Sequence, residues 1–163
     1  MKKTLLKSGV IGLLMIACRQ TNPATVDKNE FVQLMNRLAA AWTTQDTNAG
    51  LSCFTPDATY MQPPEEQFFQ GHAQLRAYFG ALKKGTVMRF HHLWFDENSQ
   101  SGVGEFTFGN RSSQNAVTGV AVVNLQNGKI KSWREYFVKG PADFKQFVSP
   151  KNKKWRWSIE NYP

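Results

Sequence analysis

Two cysteines, three histidines and twelve acidic residues are spread over 163 positions, so the chain is short of the groups that build disulfide frameworks, metal clusters and acidic surfaces. With only Cys18 and Cys53, no disulfide scaffold can be assembled. No apolar run reaches the roughly 20 residues of a membrane-spanning helix. The longest, Val10 to Ala17, is far shorter. There is no phosphate-cradling glycine loop and no Ser-His-Asp arrangement, which argues against nucleotide and serine-hydrolase chemistry. Twenty basic residues against twelve acidic ones give a formal charge of +8. No nucleic-acid motif accompanies that charge, and many of the positives gather near the end, from Lys139 to Arg156. A solvated basic tail that also lies near anionic lipid is the expected reading, with no nucleic-acid partner. What is abundant is aromatic: 13% Phe, Trp and Tyr, which marks a packed domain.

The first residues carry the most specific local signal. Lys2 and Lys3 precede the apolar Val10–Ala17 stretch, which is the layout of a secretory signal peptide. It ends Met15-Ile16-Ala17-Cys18, which resembles a bacterial lipobox. The resemblance implies cleavage before Cys18 and lipid attached to its sulfur, holding the protein to a membrane of the bacterial cell envelope. Plain secretion with an incidental Cys18 is the alternative. The expected division is a signal peptide over 1–17, a tether over 18–28, one domain over 29–148 and a basic tail over 149–163. Cys53, in Leu51-Ser52-Cys53-Phe54, is expected to be a buried, inert thiol.

Asp27 followed by Glu30 reads as a helix start, and Phe31, Leu34, Met35, Leu38 and Trp42 follow at helical spacing, predicting a helix over 28–45. A helical turn is expected over 48–54 and a short strand over 58–62, stopped by Pro63-Pro64. Gly71 opens a second helix with Leu75, Tyr78, Phe79 and Leu82 on one stripe, ended by Gly85. The period then changes to two, and residues 87–97, 103–109, 116–126 and 129–138 read as strands. Asn127-Gly128 is a two-residue hairpin signal. Ala142 to Val148 reads as helical, and alternation of Trp155, Trp157 and Ile159 leaves room for an edge strand. Helices first and antiparallel strands after define an α+β domain with one helical layer on a sheet.

This order, with Trp42, Phe54-Thr55-Pro56-Asp57-Ala58, Gly71 with Leu75, Tyr78 and Phe79, Gly104-Glu105-Phe106-Thr107-Phe108, Gly119-Val120, and Asn127-Gly128-Lys129-Ile130 before Trp133-Arg134-Glu135-Tyr136-Phe137, resembles the nuclear transport factor 2-like superfamily, and within it the SnoaL-like proteins. The resemblance spans about residues 29–140. It implies a cone: a curved antiparallel sheet wrapped on N-terminal helices, of the cystatin-like type, with a pocket at the open end. The superfamily mixes isomerases, cyclases, hydrolases, dehydratases and non-catalytic binders, so it does not fix an activity. Its epoxide hydrolases end in a similar Trp-Arg-Asp-Tyr stretch whose Asp faces the pocket, which implies that role for Glu135. Glu105 would stand near their neighbouring-strand carboxylate. Their arginine two residues before that carboxylate is Val103 here, which counts against epoxide hydrolysis.

Strand parity gives a geometric expectation. Counting out from Asn127-Gly128 pairs Val122 with Trp133 and Val120 with Glu135. A turn centred near Gln100 pairs Phe95 with Glu105 and Leu93 with Thr107. His91, Glu105 and Glu135 then look into one hollow as catalytic candidates, a carboxylate pair whose burial would raise at least one pKa. Tyr60 would donate to a developing oxyanion. Trp42, Tyr60, Phe95, Thr107 and Trp133 are expected to line the ligand site. Adjacent His91 and His92 should point to opposite faces, so no metal is expected, and no cofactor. The opposite face, with Trp94, Phe106, Phe108 and Tyr136, is expected to pair two copies as a homodimer. Two readings of the function stand: a lipid-anchored pocket protein for a small, partly apolar molecule with acid–base lyase or isomerase chemistry, and a non-catalytic ligand-binding or dimeric interaction module. A partner-binding role for the basic tail is a third.

Overall fold

In the computed structural model, the structure describes residues 24–63 and 67–149. The expected signal peptide and lipobox, Pro64, and the edge strand expected in the tail lie outside the described residues. The first helix, α1 (Lys28–Thr44), starts as a capping box: Asp27 accepts from the Glu30 N–H at 2.8 Å, and Glu30 accepts from the Asp27 N–H at 2.9 Å. It ends where Gln45 turns left-handed at φ 61°. Its apolar stripe, Phe31, Leu34, Met35, Leu38 and Trp42, is buried along the sheet. After α2 (Thr47–Ser52) come β1 (Phe54–Gln62), β2 (Gln67–Gln70) and α3 (Gly71–Gly80). β2 was not foreseen. α3 stops at Gly80, five residues before the expected Gly85.

Four long strands follow: β3 (Thr86–Asp96), β4 (Ser101–Asn110), β5 (Asn115–Gln126) and β6 (Lys129–Pro141), then the short α4 (Phe144–Phe147). The six strands form one sheet in the order β2-β1-β6-β5-β4-β3. All neighbours are antiparallel except β1 and β6, which run parallel. The architecture is the expected α+β cone. Asn127 and Gly128 both have positive φ, 52° and 72°, as a primed hairpin turn requires.

A β-bulge in one hairpin, and in the other a turn set differently from expected and then a bulge, overturn the expected registers. Gln126 does pair with Lys129, but the β5–β6 ladder slips between Asn124 and Leu125, leaving Lys131 as the extra residue. Trp133 therefore pairs with Val123 and Glu135 with Ala121, rather than with Val122 and Val120. Ala121 and Val123 are fully buried, while Val120 is exposed. In the first hairpin the closing pair is Asp96–Ser101, so Phe95 meets Gly102 and Leu93 meets Gly104. A second bulge at His91 follows, between Phe90 and His92.

Candidate functional site

The helical face of the sheet carries Ala58, Tyr60 and Gln62 of β1, Phe106 and Phe108 of β4, and Trp133, Glu135 and Phe137 of β6. Between this face, α1 and α3 lies a cavity of about 180 Å³. Its wall is mostly apolar and aromatic: Trp42 from α1, Tyr78 and Phe79 from α3, Leu82, Met88, Phe106, Phe108, Val117 and Phe137. The polar wall consists of Tyr60, Gln62 and Glu135, with Lys139 also on the lining.

Glu135 is the one acidic side chain of this lining among the described residues, and it is 5% exposed. Its carboxylate accepts from Gln62 Nε2 on one oxygen and from Trp133 Nε1 at 2.8 Å on the other. Gln62 Nε2 also reaches the Tyr78 hydroxyl at 3.3 Å. Tyr60 adds a hydrogen bond to the same carboxylate. Burial raises the Glu135 pKa above its ordinary 4.5, while the three hydrogen bonds pull the other way. Burial, and then the Glu135 charge, hold the Tyr60 hydroxyl well above the usual tyrosine range, so it remains a donor. The donors are positioned by the parallel β1–β6 pairing, which sets Tyr60 opposite Trp133 with their rings stacked at 5.7 Å. Among the described residues, Trp42 Nε1 is buried without a hydrogen-bond partner.

Of the expected site residues, Trp42, Tyr60 and Glu135 line this cavity. Trp133 is fully buried behind it and reaches it through Glu135. Phe95 stacks on Phe31 at 4.4 Å, away from the lining. Glu105, His91 and Thr107 are not there. Glu105 alternates with the inward Gly104 and Phe106, so it projects from the opposite sheet face and pairs with His92 Nδ1. His91 Nε2 is 2.8 Å from Thr107 Oγ1 on that same outer face. The expected hollow shared by Glu105, Glu135 and His91 therefore does not form. Val103 lies outside as well, and β4 presents Phe106 and Phe108 to the cavity instead. Both had been assigned to the outer, dimer-forming face; of that set only Trp94 and Tyr136 are on it, 55% and 45% exposed. The His91 bulge also removes the reason given for separating the two histidines, since both reach outer-face partners. Even so, no three metal-ligating side chains gather among the described residues. Cys53 is 2% exposed, and burial pushes its thiol up.

The sequence reading missed Gln62, Met88, Phe106, Phe108, Val117 and Lys139, and took Tyr78, Phe79 and Leu82 only as a helix stripe. Gln62 had a signal: it stands two residues from Tyr60 on one strand and shares its face.

Residues 35–133 match the family model of the SnoaL-like domain. Many solved structures share the fold, among them the following three. An NTF-2 like protein of unknown function from Burkholderia xenovorans LB400 is 16% identical, with TM-score 0.62, covering 81% of this chain and 97% of its own. A putative ketosteroid isomerase from Kribbella flavida is 10% identical, with TM-score 0.60 and coverage of 74% and 88%. An LEH-like epoxide hydrolase from M. tuberculosis is 15% identical, with TM-score 0.58 and coverage of 68% and 84%. No curated protein matches the chain.

Proposed function

The chain belongs to the SnoaL-like domain family, and from that premise we propose that it binds a small, largely apolar molecule with one polar group in the cavity between sheet and helices. The observation that supports this is a single desolvated carboxylate, Glu135, set among Tyr60, Gln62 and otherwise mostly aromatic walls. At about 180 Å³, the cavity is a little larger than the engineered one of roughly 150 Å³ that takes benzene. A molecule of one ring with a hydroxyl or carbonyl fits it, the ring against Phe106 and Phe108 and the polar group on Glu135 or Tyr60. Phenol is the test probe. It should perturb the Trp42 and Trp133 indole N–H signals saturably, and Val117→Trp, which fills the space, should abolish that effect. A linear, non-saturating response in the wild-type protein would remove the reading.

A second reading, proton transfer beside a carbonyl, has one specific support: burial raises the Glu135 carboxyl, and the Tyr60 hydroxyl sits beside it. It would run on one acid, not on the pair first expected. Deuterium wash-in at the α-carbons of cyclohexanone, lost in Glu135→Gln, is its readout.

The proposal includes the address. Cleavage before Cys18 and lipid on its sulfur would tether the domain to an envelope membrane, and several acyl chains hold firmly where one does not. Cys18→Ser should move the protein from the membrane to the soluble fraction; continued membrane fractionation would refute the anchor. A homodimer over the outer sheet face is part of the same reading, resting on exposed Trp94, Val120, Tyr136 and Val138.

A further inference from the structure

On the outer face of the sheet, away from the first cavity, a cleft of about 440 Å³ lies between the edge formed by β3 and β4 and the short helix α4. Arg89, Arg111 and Lys145 border it, with His91, Thr107 and Phe144. Phe144 stacks on the His91 ring at 3.9 Å, which fixes α4 as one wall. Asp143 is the single acidic group of the lining among the described residues, and its carboxylate is engaged by the Lys145 backbone N–H at 3.0 Å. The neighbouring polar groups are satisfied internally: Asn110 Nδ2 donates to the Lys84 carbonyl, and the Ser113 hydroxyl donates to the Asn115 carbonyl. The side chains of Arg89, Arg111 and Lys145 make no ion pair or hydrogen bond among the described residues.

Cations scattered on a convex surface are merely solvated. Three around a concave site with low-dielectric walls focus their field and raise the local concentration of anions. Guanidinium groups add geometry, because each offers two parallel N–H donors to an oxyanion. We propose that this outer-face cleft binds a small molecule bearing a phosphate or carboxylate group, held by Arg89, Arg111 and Lys145 with the Thr107 hydroxyl beside them. The space admits the oxyanion and a small organic body against Phe144. The field has a witness. Burial and, next, the Arg89 charge lower the His91 pKa, against the opposing pull of Glu105; His92 lowers it slightly further. A bound anion should reverse that direction.

The site is independent of the first cavity, so the two readings fail separately. The probe is inorganic phosphate, titrated against the full chain while the His91 ring signals are followed by NMR, with sodium chloride at matched ionic strength as the reference. Saturable shifts, and a His91 pKa higher in phosphate than in chloride, are expected. Arg89→Gln and Arg111→Gln, both at exposed positions, should each weaken binding about tenfold, the scale of one charge-assisted contact. Identical behaviour in phosphate and chloride would overturn the proposal, with no variant needed. So would undiminished phosphate binding by both variants.

Discussion

Replacing Glu135 with glutamine tests the electrostatics of the cavity without knowledge of any ligand. The carboxylate is 5% exposed, and burial is the largest influence on its pKa, which lies above 4.5. Folded protein then binds the Glu135 proton more tightly than unfolded chain does. Between the unfolded pKa, about 4.3, and the raised folded value, the native state carries the extra proton, so stability falls as pH rises. Below that window the full stability is present; above it the loss is complete and constant. The steepest slope one group can impose is about 1.4 kcal/mol per pH unit. Glutamine removes this slope. It also has a pH-independent cost. An amide keeps one oxygen and turns an NH₂ toward either Gln62 or Trp133, both of which are donors. That mismatch should cost about 1–3 kcal/mol. Glu135→Gln should therefore be less stable than wild type near pH 4, and the gap should narrow as pH rises toward 7. Urea unfolding at several pH values, followed by tryptophan fluorescence, measures it. A gap that stays constant, or widens with pH, would refute the reasoning, because it would mean that the three hydrogen bonds balance or outweigh desolvation.

Two further changes test the packing that shapes the cavity. Gly102→Ala would set a Cβ 2.4 Å from Phe31 Cζ, and Phe31 is fully buried and stacked on Phe95; a loss of about 1–3 kcal/mol in urea unfolding is expected, and an unchanged midpoint would mean that α1 slides freely on β4. Asp27→Ala removes the capping box of α1 and should cost about 1 kcal/mol, seen as a lower unfolding midpoint and faster amide exchange in the first turn.

The elements that the sequence announced were those whose signals are local. The α1 cap needs only Asp27 and Glu30, and its stripe needs only residues within four turns of each other. The β5–β6 turn needs only Asn127-Gly128. The registers were not legible, and the reason can be read from two segments. Val120-Ala121-Val122-Val123 is apolar at both parities, so either pair, Val120 with Val122 or Ala121 with Val123, could have faced the core. Phe90 to Phe95 likewise places apolar side chains on both faces. In such strands hydrophobic pattern cannot count an extra residue, and one slip moves every later side chain to the other face. The bulge at Lys131 inserted that one residue in β6; between β3 and β4 the slip came at the turn, which closes on Asp96–Ser101, and the bulge at His91 then turned His91 itself outward.

The same reasoning explains why one acid of the expected pair reached the cavity and the other did not. Glu135 has the alternation of its own strand to place it: Trp133, Glu135 and Phe137 share a parity that Arg134 and Tyr136 do not. The Lys131 bulge precedes all three, so it changed the cross-strand partner of Glu135 from the expected Val120 to Ala121 while leaving this shared parity, and the face implied by the family resemblance, intact. Glu105 was assigned through a pairing across the Gln100 turn, and the correct pairing, with His92, turns it to the opposite face. What makes Glu135 tolerable there was invisible for a different reason. Two of its donors, Tyr60 and Gln62, come from β1, more than 70 residues away in the chain, and meet it only because β1 lies parallel to β6. A buried carboxylate with no such donors would carry the full cost of desolvation. The cavity therefore depends on the one parallel contact of the sheet, which no hairpin signal in the sequence could reveal.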